Sequence, residues 1–305
     1  MRVLVLGGAG FLGRHVVAAL IDRGNAVVIG SRRPKRAAER LPRNAQRCER
    51  RRVRFERMTS ADAWDPLLEG IDVVVNCVGI LRRRGGETYH RVHHLAPAAL
   101  AEACARRGIA RFVHVSALGL DAGARSGFIR SKLDGEHALR AARGVVSIVR
   151  PSLLDGDGGF GARWIHRVAQ WPVHLIPGDA TGRIAALDVR DAGMAIAVLC
   201  ESADTQQWRD VELGGSDHWP LADYLAAKRA AAGLPPAWRV PVPAWCARIA
   251  SHACDLLHVS PFSFGHLELL RRDNVPRPNR LSALLGHAPA AVSQPLRPQD
   301  AHARA

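Results

Sequence analysis

Seven residues near the start of the chain carry its first chemistry: Gly7-Gly8-Ala9-Gly10-Phe11-Leu12-Gly13. A diphosphate-binding turn needs one glycine to turn tightly, one to let backbone N–H groups approach, and one for close helix–strand packing. Gly8, Gly10 and Gly13 give G-x-G-x-x-G, and Gly7, Gly10 and Gly13 give G-x-x-G-x-x-G. The motif follows an apolar run at residues 3–6 and opens a helical pattern, the context that makes it specific. About 20 residues further on, a carboxylate would ordinarily bind a ribose 2′-hydroxyl. Here Gly30-Ser31-Arg32-Arg33 offers none. Two guanidiniums and a hydroxyl suit a 2′-phosphate in charge and donor geometry, which predicts NADP(H) in preference to NAD(H).

Such a turn needs a strand behind it and a helix ahead of it. Apolar, β-branched runs recur at residues 3–6, 26–29, 53–55, 71–77, 112–115 and 145–149. Helical spacing separates them, as in Phe11, Leu12, Val16, Val17 and Leu20, then Leu95, Ala99 and Ala103, then Ile129, Leu133 and Ala138. Strands apolar on both faces imply a parallel sheet covered on both sides. The expected fold is α/β, a Rossmann-like doubly wound parallel sheet with a smaller, mostly helical C-terminal lobe. Residues 1–155 are expected to form the dinucleotide-binding domain, with 181–199 returning to it. The lobe is expected to comprise 156–180 and 200–286, and 287–305 reads as a flexible tail.

The chain has 305 residues, 48% hydrophobic and 23% charged, enough for a sizeable core. No apolar run approaches the roughly 18–20 residues of a spanning helix. The first residues read as a strand rather than a signal peptide, and six scattered cysteines read as reduced thiols, so a cytoplasmic location is expected. Lys and Arg number 43 against 28 Asp and Glu, a net charge of +15. Only Lys35, Lys132 and Lys228 are lysines. The basicity reads as a general property of the surface, and a nucleic-acid partner is disfavoured, because charge alone brings no base-reading chemistry. An anionic membrane surface at the inner face of a membrane remains an expectation. Residues 238–257 bring two tryptophans, several prolines and a helical stripe of Trp245, Ile249, His252/Ala253 and Leu256. That stripe is compatible with a membrane interface, but such a stripe more often packs on its own domain, and that is the expectation. Fourteen histidines show no paired ligand spacing, so no metal site is expected. Hydrolase elbow and P-loop patterns are absent.

The glycine turn, together with Val73-Val-Val-Asn-Cys-Val-Gly79, Phe112-Val-His-Val-Ser-Ala-Leu-Gly119, Phe128-Ile-Arg-Ser-Lys132 and Ile148-Val-Arg-Pro-Ser152, resembles the extended and atypical short-chain dehydrogenase/reductases. Within that superfamily the chain is similar to the group containing the nucleotide-binding accessory subunit of respiratory complex I and its bacterial relatives. His114-Val-Ser-Ala-Leu-Gly, Glu212-Leu-Gly-Gly and Leu269-Leu-Arg-Arg-Asp-Asn-Val275 carry that likeness. The resemblance implies that Asn76, Cys77, Val78 and Gly79 line the riboses, that Lys132 hydrogen-bonds the nicotinamide ribose, and that the turn Arg150-Pro151-Ser152 flanks the nicotinamide. It also implies a proton-shuttling tyrosine four residues before the lysine, where this chain has Phe128. Ser116 either occupies the family's serine position or precedes it by one, with Ala117 then aligned. Met58 stands near where relatives carry an adenine-recognising Asp.

Phenylalanine cannot ionise, so the tyrosine route is closed. Tyr89 and Tyr224, the two tyrosines, do not obviously substitute; His93, His94, Asp155 and Asp157 are the candidate replacement acids. The leading expectation is an NADP(H)-binding accessory, assembly or redox-sensing protein linked to quinone or respiratory metabolism, with a protein or hydrophobic small molecule as partner. The alternative is an NADPH-dependent oxidoreductase, isomerase or dehydratase acting on a hydrophobic carbonyl or quinone-like substrate, in which Lys132 and Ser116 are catalytic. A nucleic-acid-associated redox sensor ranks third.

Overall fold

The computed structural model describes residues 1–204, 206–257 and 262–292. In chain order it runs β1 (Arg2–Leu6), α1 (Phe11–Asp22), β2 (Ala26–Ser31), α2 (Pro34–Ala37), β3 (Glu49–Arg52) and β4 (Val73–Asn76). A π-helical turn, His90–Leu95, leads into α3 (Ala96–Arg106), followed by β5 (Arg111–Val115), α4 (Gly127–Ala141) and β6 (Val146–Pro151). Next come β7 (Leu154–Asp155), α5 (Phe160–Ala169), β8 (Val173–Pro177), β9 (Arg183–Ile184), β10 (Leu187–Asp188) and α6 (Val189–Glu201). The chain continues through β11 (Asp210–Leu213), β12 (Trp219–Pro220), α7 (Leu221–Ala231), β13 (Trp238–Val242), α8 (Ala244–Leu257), α9 (Phe264–Leu270) and α10 (Leu281–Leu285).

Seven parallel strands in the order β11-β6-β5-β4-β1-β2-β3 make the central sheet. The period-2 alternation of each strand assigns a helix layer to each face. Val3, Val5, Val75 and Val113 face the layer of α1 and α6, while Leu4, Leu6, Val74 and Phe112 face that of α3. Both faces are dry, which is why these strands read as unbroken apolar runs.

Two parts of the sheet differ from the sequence expectation. The third strand was expected at 53–55 but lies at Glu49–Arg52, and Phe55–Arg57 is a single 3-10 turn. Val53 and Phe55 are buried beneath the sheet. The ladder instead uses the charged residues before them, which suit an exposed edge. Residues 210–213, expected in the lobe, form the opposite edge strand beside β6, and α10 contributes Leu281 and Leu284 to the core around α6. The four residues Asp210-Val-Glu-Leu are too short a pattern to stand out from surrounding loops. Of the expected tail, Ala290 N–H donates to Asp191 Oδ2 at 2.7 Å, and residues 293–305 lie outside the described residues.

The lobe holds small two-stranded ribbons, β13 with β8 (parallel) and β12 with β9 (antiparallel), and helices α5, α7, α8 and α9. A half-buried ion cluster secures the sheet edge. Arg150 of β6 reaches Glu136 of α4 at 2.7 Å and Asp210 of β11 at 2.6 Å, and Arg140 bridges the same two carboxylates. Glu136 is almost fully buried, so removing it strands a guanidinium. Glu136→Ala is expected to cost about 3 kcal/mol, measured by urea unfolding against the parent; a loss within ~0.5 kcal/mol, the usual range at exposed sites, would show that Asp210 alone suffices for Arg150.

Candidate functional site

The strand order reverses between β1 and β4, the point where open α/β sheets place ligands at the carboxyl ends of their strands. The glycine turn lies there. Gly7 has φ +73°, a conformation that excludes most side chains. A Cβ on Gly13 would sit 2.2 Å from the Gly7 carbonyl oxygen, and one on Gly10 would sit 2.9 Å from it. Helix α1 therefore starts pressed against the turn. Its N-cap is Gly10, without a side-chain cap, and its first turn carries no acidic residue. The first N–H groups of a helix have no intrahelical acceptor and carry partial positive charge. Together they form a cradle for a diphosphate, and the residues present fit that group.

The end of β4 lies against this turn: a Cβ on Gly7 would be 3.2 Å from the carbonyl carbon and oxygen of Cys77. Buried Asn76 shapes it, accepting from the Val78 N–H at 2.9 Å and donating from Nδ2 to His114 Nδ1 at 3.0 Å. Burial, aided by the positive charges of Lys132 and Arg150, keeps His114 neutral and lowers its pKa to about 3. Burial pushes the Cys77 thiol up to about 12, so it is inert. Gly79 is exposed with open space around it. Beyond β5, Ser116 is buried and its N–H donates to Val149 O at 2.8 Å. Its hydroxyl has no hydrogen-bond partner among the described residues. Pro151 closes β6 and is buried, and Ser152 Oγ donates to the Asn274 carbonyl at 2.6 Å. The glycine turn, Asn76–Gly79, Ser116 and Pro151 thus gather at the carboxyl ends of four neighbouring strands.

At the end of β2, Ser31 is partly buried and Arg32 and Arg33 are exposed. Ser31 Oγ accepts from the Arg33 N–H at 3.3 Å. Arg32 forms an ion pair with Glu87, a carboxylate that no sequence motif singles out.

Phe128 lies in the first turn of α4, whose N-cap Ser126 accepts from the Ile129 N–H. Lys132 follows one turn later, its Nζ 5.9 Å from the Phe128 ring centroid. Helix α4 meets the π-helical turn so closely that a Cβ on Gly135 would be 1.9 Å from His93 O. This contact gathers rings around Phe128: Tyr89 at 5.9 Å, His93 at 5.6 Å and His266 of α9 at 5.8 Å. Tyr89, both nitrogens of His93 and Nδ1 of His266 have hydrogen-bond partners. Tyr89 donates to Leu81 O at 2.8 Å; His93 accepts from the Ile80 N–H through Nε2 and meets Ser131 Oγ through Nδ1; His266 Nδ1 meets Ser263 Oγ at 2.6 Å. Burial raises the Tyr89 pKa, drives that of His93 well down and lowers that of His266 to about 4. Lys132 alone among them is brought near neutrality. Burial lowers its pKa to about 8, with Glu136 pulling the other way.

The other candidate acids are placed elsewhere. Asp155 is buried and bonded to His166 Nε2 at 2.6 Å and to Lys228, and the two hold its carboxylate ionised against the cost of burial. It ties β7 to the lobe. The Asp157 carbonyl receives Arg14 of α1, and His94 faces away from His93, beside His90. Met58 is fixed by packing, its carbonyl accepting from Trp64 Nε1 at 3.0 Å.

A groove of about 830 Å3 opens onto Phe128 and Tyr89, with Arg82, Arg83, Arg125, Arg130 and Arg248 on its walls and Asp255 beside Arg82. These arginines come from four separate segments and read as ordinary surface charge in the sequence. Among the described residues no group of His, Cys, Asp and Glu could hold a metal ion.

A doubly wound parallel sheet with a glycine cradle at its switch point defines a dinucleotide-binding α/β protein. Residues 3–214 match the NAD dependent epimerase/dehydratase family, and the chain belongs to that family, within the extended short-chain dehydrogenase/reductase superfamily. It is 32% identical over 204 residues to the ceramide reductase of Caulobacter vibrioides, covering 66% of this chain and 61% of that protein. It is 26% identical over 219 residues to mitochondrial NADH dehydrogenase [ubiquinone] 1 alpha subcomplex subunit 9 of Arabidopsis thaliana, covering 70% and 53%. The matches thus span between half and two thirds of those relatives. Among solved structures, an NADPH-dependent quinone oxidoreductase of Escherichia coli complexed with NADPH superposes with a TM-score of 0.73 at 18% identity, covering 95% and 97% of the two chains. The UDP-glucose 4-epimerase of Thermus thermophilus with NAD gives 0.66 at 19%, covering 95% and 94%. These two share the fold. Family and fold together support nicotinamide-dinucleotide binding by this chain.

The buried ammonium gives a pH test. A lysine with a folded pKa of about 8, against an ordinary value of 10.5, binds fewer protons folded than unfolded between those limits. Its burden on stability is therefore full below pH 8 and fades as pH rises toward 10.5. Lys132→Met is expected to stabilise the protein by about 1–2 kcal/mol at pH 7, discounted for partial exposure, and to lose most of that gain by about pH 10. Urea melts of both proteins at the two pH values check this; an equal gain at both would assign the effect to packing.

Proposed function

We propose that this chain holds a nicotinamide dinucleotide, preferring the 2′-phosphorylated form, as a bound ligand in an accessory, assembly or redox-sensing role linked to quinone or respiratory metabolism. The single observation carrying this reading is the ring cluster around Phe128. Where its superfamily is expected to present a phenol, the chain presents a hydrocarbon ring, and burial holds the neighbouring Tyr89, His93 and His266 neutral, each tied by at least one hydrogen bond. The similarity to a respiratory complex I subunit supports the same role. A cytoplasmic site of action, at the inner face of a membrane, belongs to the proposal.

The amides of Phe11, Leu12 and Gly13 would hold the diphosphate, with Gly7, Gly8 and Gly10 clearing space for it; the Gly10 amide itself closes the turn by donating to the Gly7 carbonyl at 2.8 Å. Ser31, Arg32 and Arg33 would hold the 2′-phosphate. Arg32 would exchange Glu87 for it, and an exposed ion pair of that kind is weak. Asn76, Cys77, Val78 and Gly79 would line the riboses, Ser116 Oγ and Lys132 Nζ would supply hydrogen bonds to ligand hydroxyls, and Pro151 would flank the nicotinamide. When bound, the nicotinamide supplies hydride-transfer capacity.

One observation favours a second reading, reduction of a hydrophobic carbonyl or quinone-like substrate: Lys132, its Nζ 5.9 Å from the Phe128 ring centroid, has its pKa lowered by burial to about 8. Lys132 Nζ would then give the proton to the substrate oxygen, with Ser116 orienting it. The likeness to a ceramide reductase is in keeping with that reading.

Two experiments test the proposal. Arg32→Ala with Arg33→Ala is expected to weaken NADPH by about 1–3 kcal/mol and NADH far less, followed by tryptophan fluorescence titration; equal losses would remove the 2′-phosphate assignment. The parent is expected not to oxidise NADPH with quinones or ketones, and Phe128→Tyr to gain measurable turnover with simple carbonyls. Steady NADPH oxidation by the parent would overturn the accessory role in favour of the reductase.

A further inference from the structure

Twelve large apolar side chains stand exposed among the described residues, and all but Met1 lie between residues 160 and 257. Their arrangement is ordered. In the β8–β13 ribbon, Val173 is paired with Trp238 and Leu175 with Val240, so all four share one face, and all four are exposed. The intervening His174 is buried on the other side. The ribbon thus turns its apolar face to solvent, the reverse of an ordinary half-buried pair.

Pro243 leads from β13 directly into α8, which is inverted in the same way. Its buried positions carry only Ala247 and Ser251. Its outward side carries Trp245, Ile249 and Leu256, exposed by 66%, 62% and 79%, at the i, i+4 and i+11 spacing of one helical face. A patch of this kind marks an interaction surface. At 14 residues, α8 spans roughly 21 Å, too short to cross a bilayer, and no described helix is long and apolar enough to do so.

The charge beside this face selects the occupant. Arg248 of α8 and Arg82, Arg83, Arg125 and Arg130 wall the adjoining groove, against the single carboxylate of Asp255. Two copies meeting through this face would bring these arginines together on chains that each carry +15. An anionic phospholipid surface instead offers phosphates to the arginines and an acyl boundary to tryptophan and aliphatic side chains, the pairing used by interfacial helices. The geometry points to α8 and the β8–β13 ribbon as a face that rests on an anionic phospholipid bilayer, with the groove arginines at the level of the lipid phosphates.

Co-sedimentation with vesicles of phosphatidylcholine and phosphatidylglycerol (7:3), and of phosphatidylcholine alone, tests this with the full chain. The parent is expected to bind the anionic vesicles at least tenfold more tightly than the neutral ones, less so as salt rises from 0.1 to 0.5 M. Trp245→Glu with Ile249→Glu is expected to reduce that binding at least tenfold, with circular dichroism, melting and dinucleotide titration unchanged. Arg83→Gln with Arg248→Gln is expected to narrow the difference between the two vesicle types. Equal sedimentation of parent and Glu variant overturns the assignment, as does equal binding to both lipids. A lipid-free dimer that the Glu variant converts to monomer overturns it too, and makes the face an interface between copies.

Discussion

The structure depends on the close approach between the start of α1 and the turn that leaves β1. A Cβ at Gly13 would overlap the Gly7 carbonyl oxygen, so the two segments can meet only with hydrogen at that position. Once they meet, the first N–H groups of α1 point into the crevice with no side-chain cap and no carboxylate to occupy them. The same turn abuts the carbonyl of Cys77, which couples the cradle to the end of β4. The Asn76–His114 hydrogen bond then carries that placement across to β5. The glycine turn, the end of β4 and the orphaned Ser116 hydroxyl are thereby held by one set of contacts.

Around Phe128 the dominant physics is desolvation. Three ionisable rings crowd it, and burial moves each toward its neutral form, where a local hydrogen bond satisfies it. Lys132 meets the same loss of solvent, yet stays close enough to Glu136 to keep a pKa near 8. Glu136 in turn is held by Arg150 and Arg140, so the lysine's environment is set by the ion cluster that closes the sheet edge. Of the ionisable groups around Phe128, the lysine alone keeps a pKa close to neutral.

The lobe follows a different logic. Its interior is knitted by polar ties, Asp155 to His166 and Lys228, and Asn274 to Ser152 and to backbone carbonyls, more than by a large apolar core. Gly119 accommodates Asn274, since a Cβ there would lie 2.3 Å from its amide oxygen. With the lobe's small side chains turned inward and its large ones outward along β13 and α8, much of the apolar surface that a free-standing lobe would bury is left for a partner.

What the sequence by itself determined is what depends on near neighbours. The glycine spacing marked the cradle because turn geometry is a property of seven consecutive residues. The apolar runs at 3–6, 71–77 and 112–115 marked the sheet because a strand buried on both faces has no polar alternation to hide it. Tertiary structure decided whatever rests on residues far apart in the chain. Asp210-Val-Glu-Leu became a sheet edge only because Arg150 and β6 were there to receive it. Glu87 met Arg32 across 55 positions, His266 reached Phe128 from another helix, and five arginines from separate segments became the walls of one groove. The stripe from Trp245 to Leu256 read more readily as packing on its own domain, and the structure leaves it exposed instead, because helical periodicity shows which residues share a face and not what covers it. Packing left that face bare, since Ala247 and Ser251 on the opposite side are small enough to let α8 lie close to the lobe.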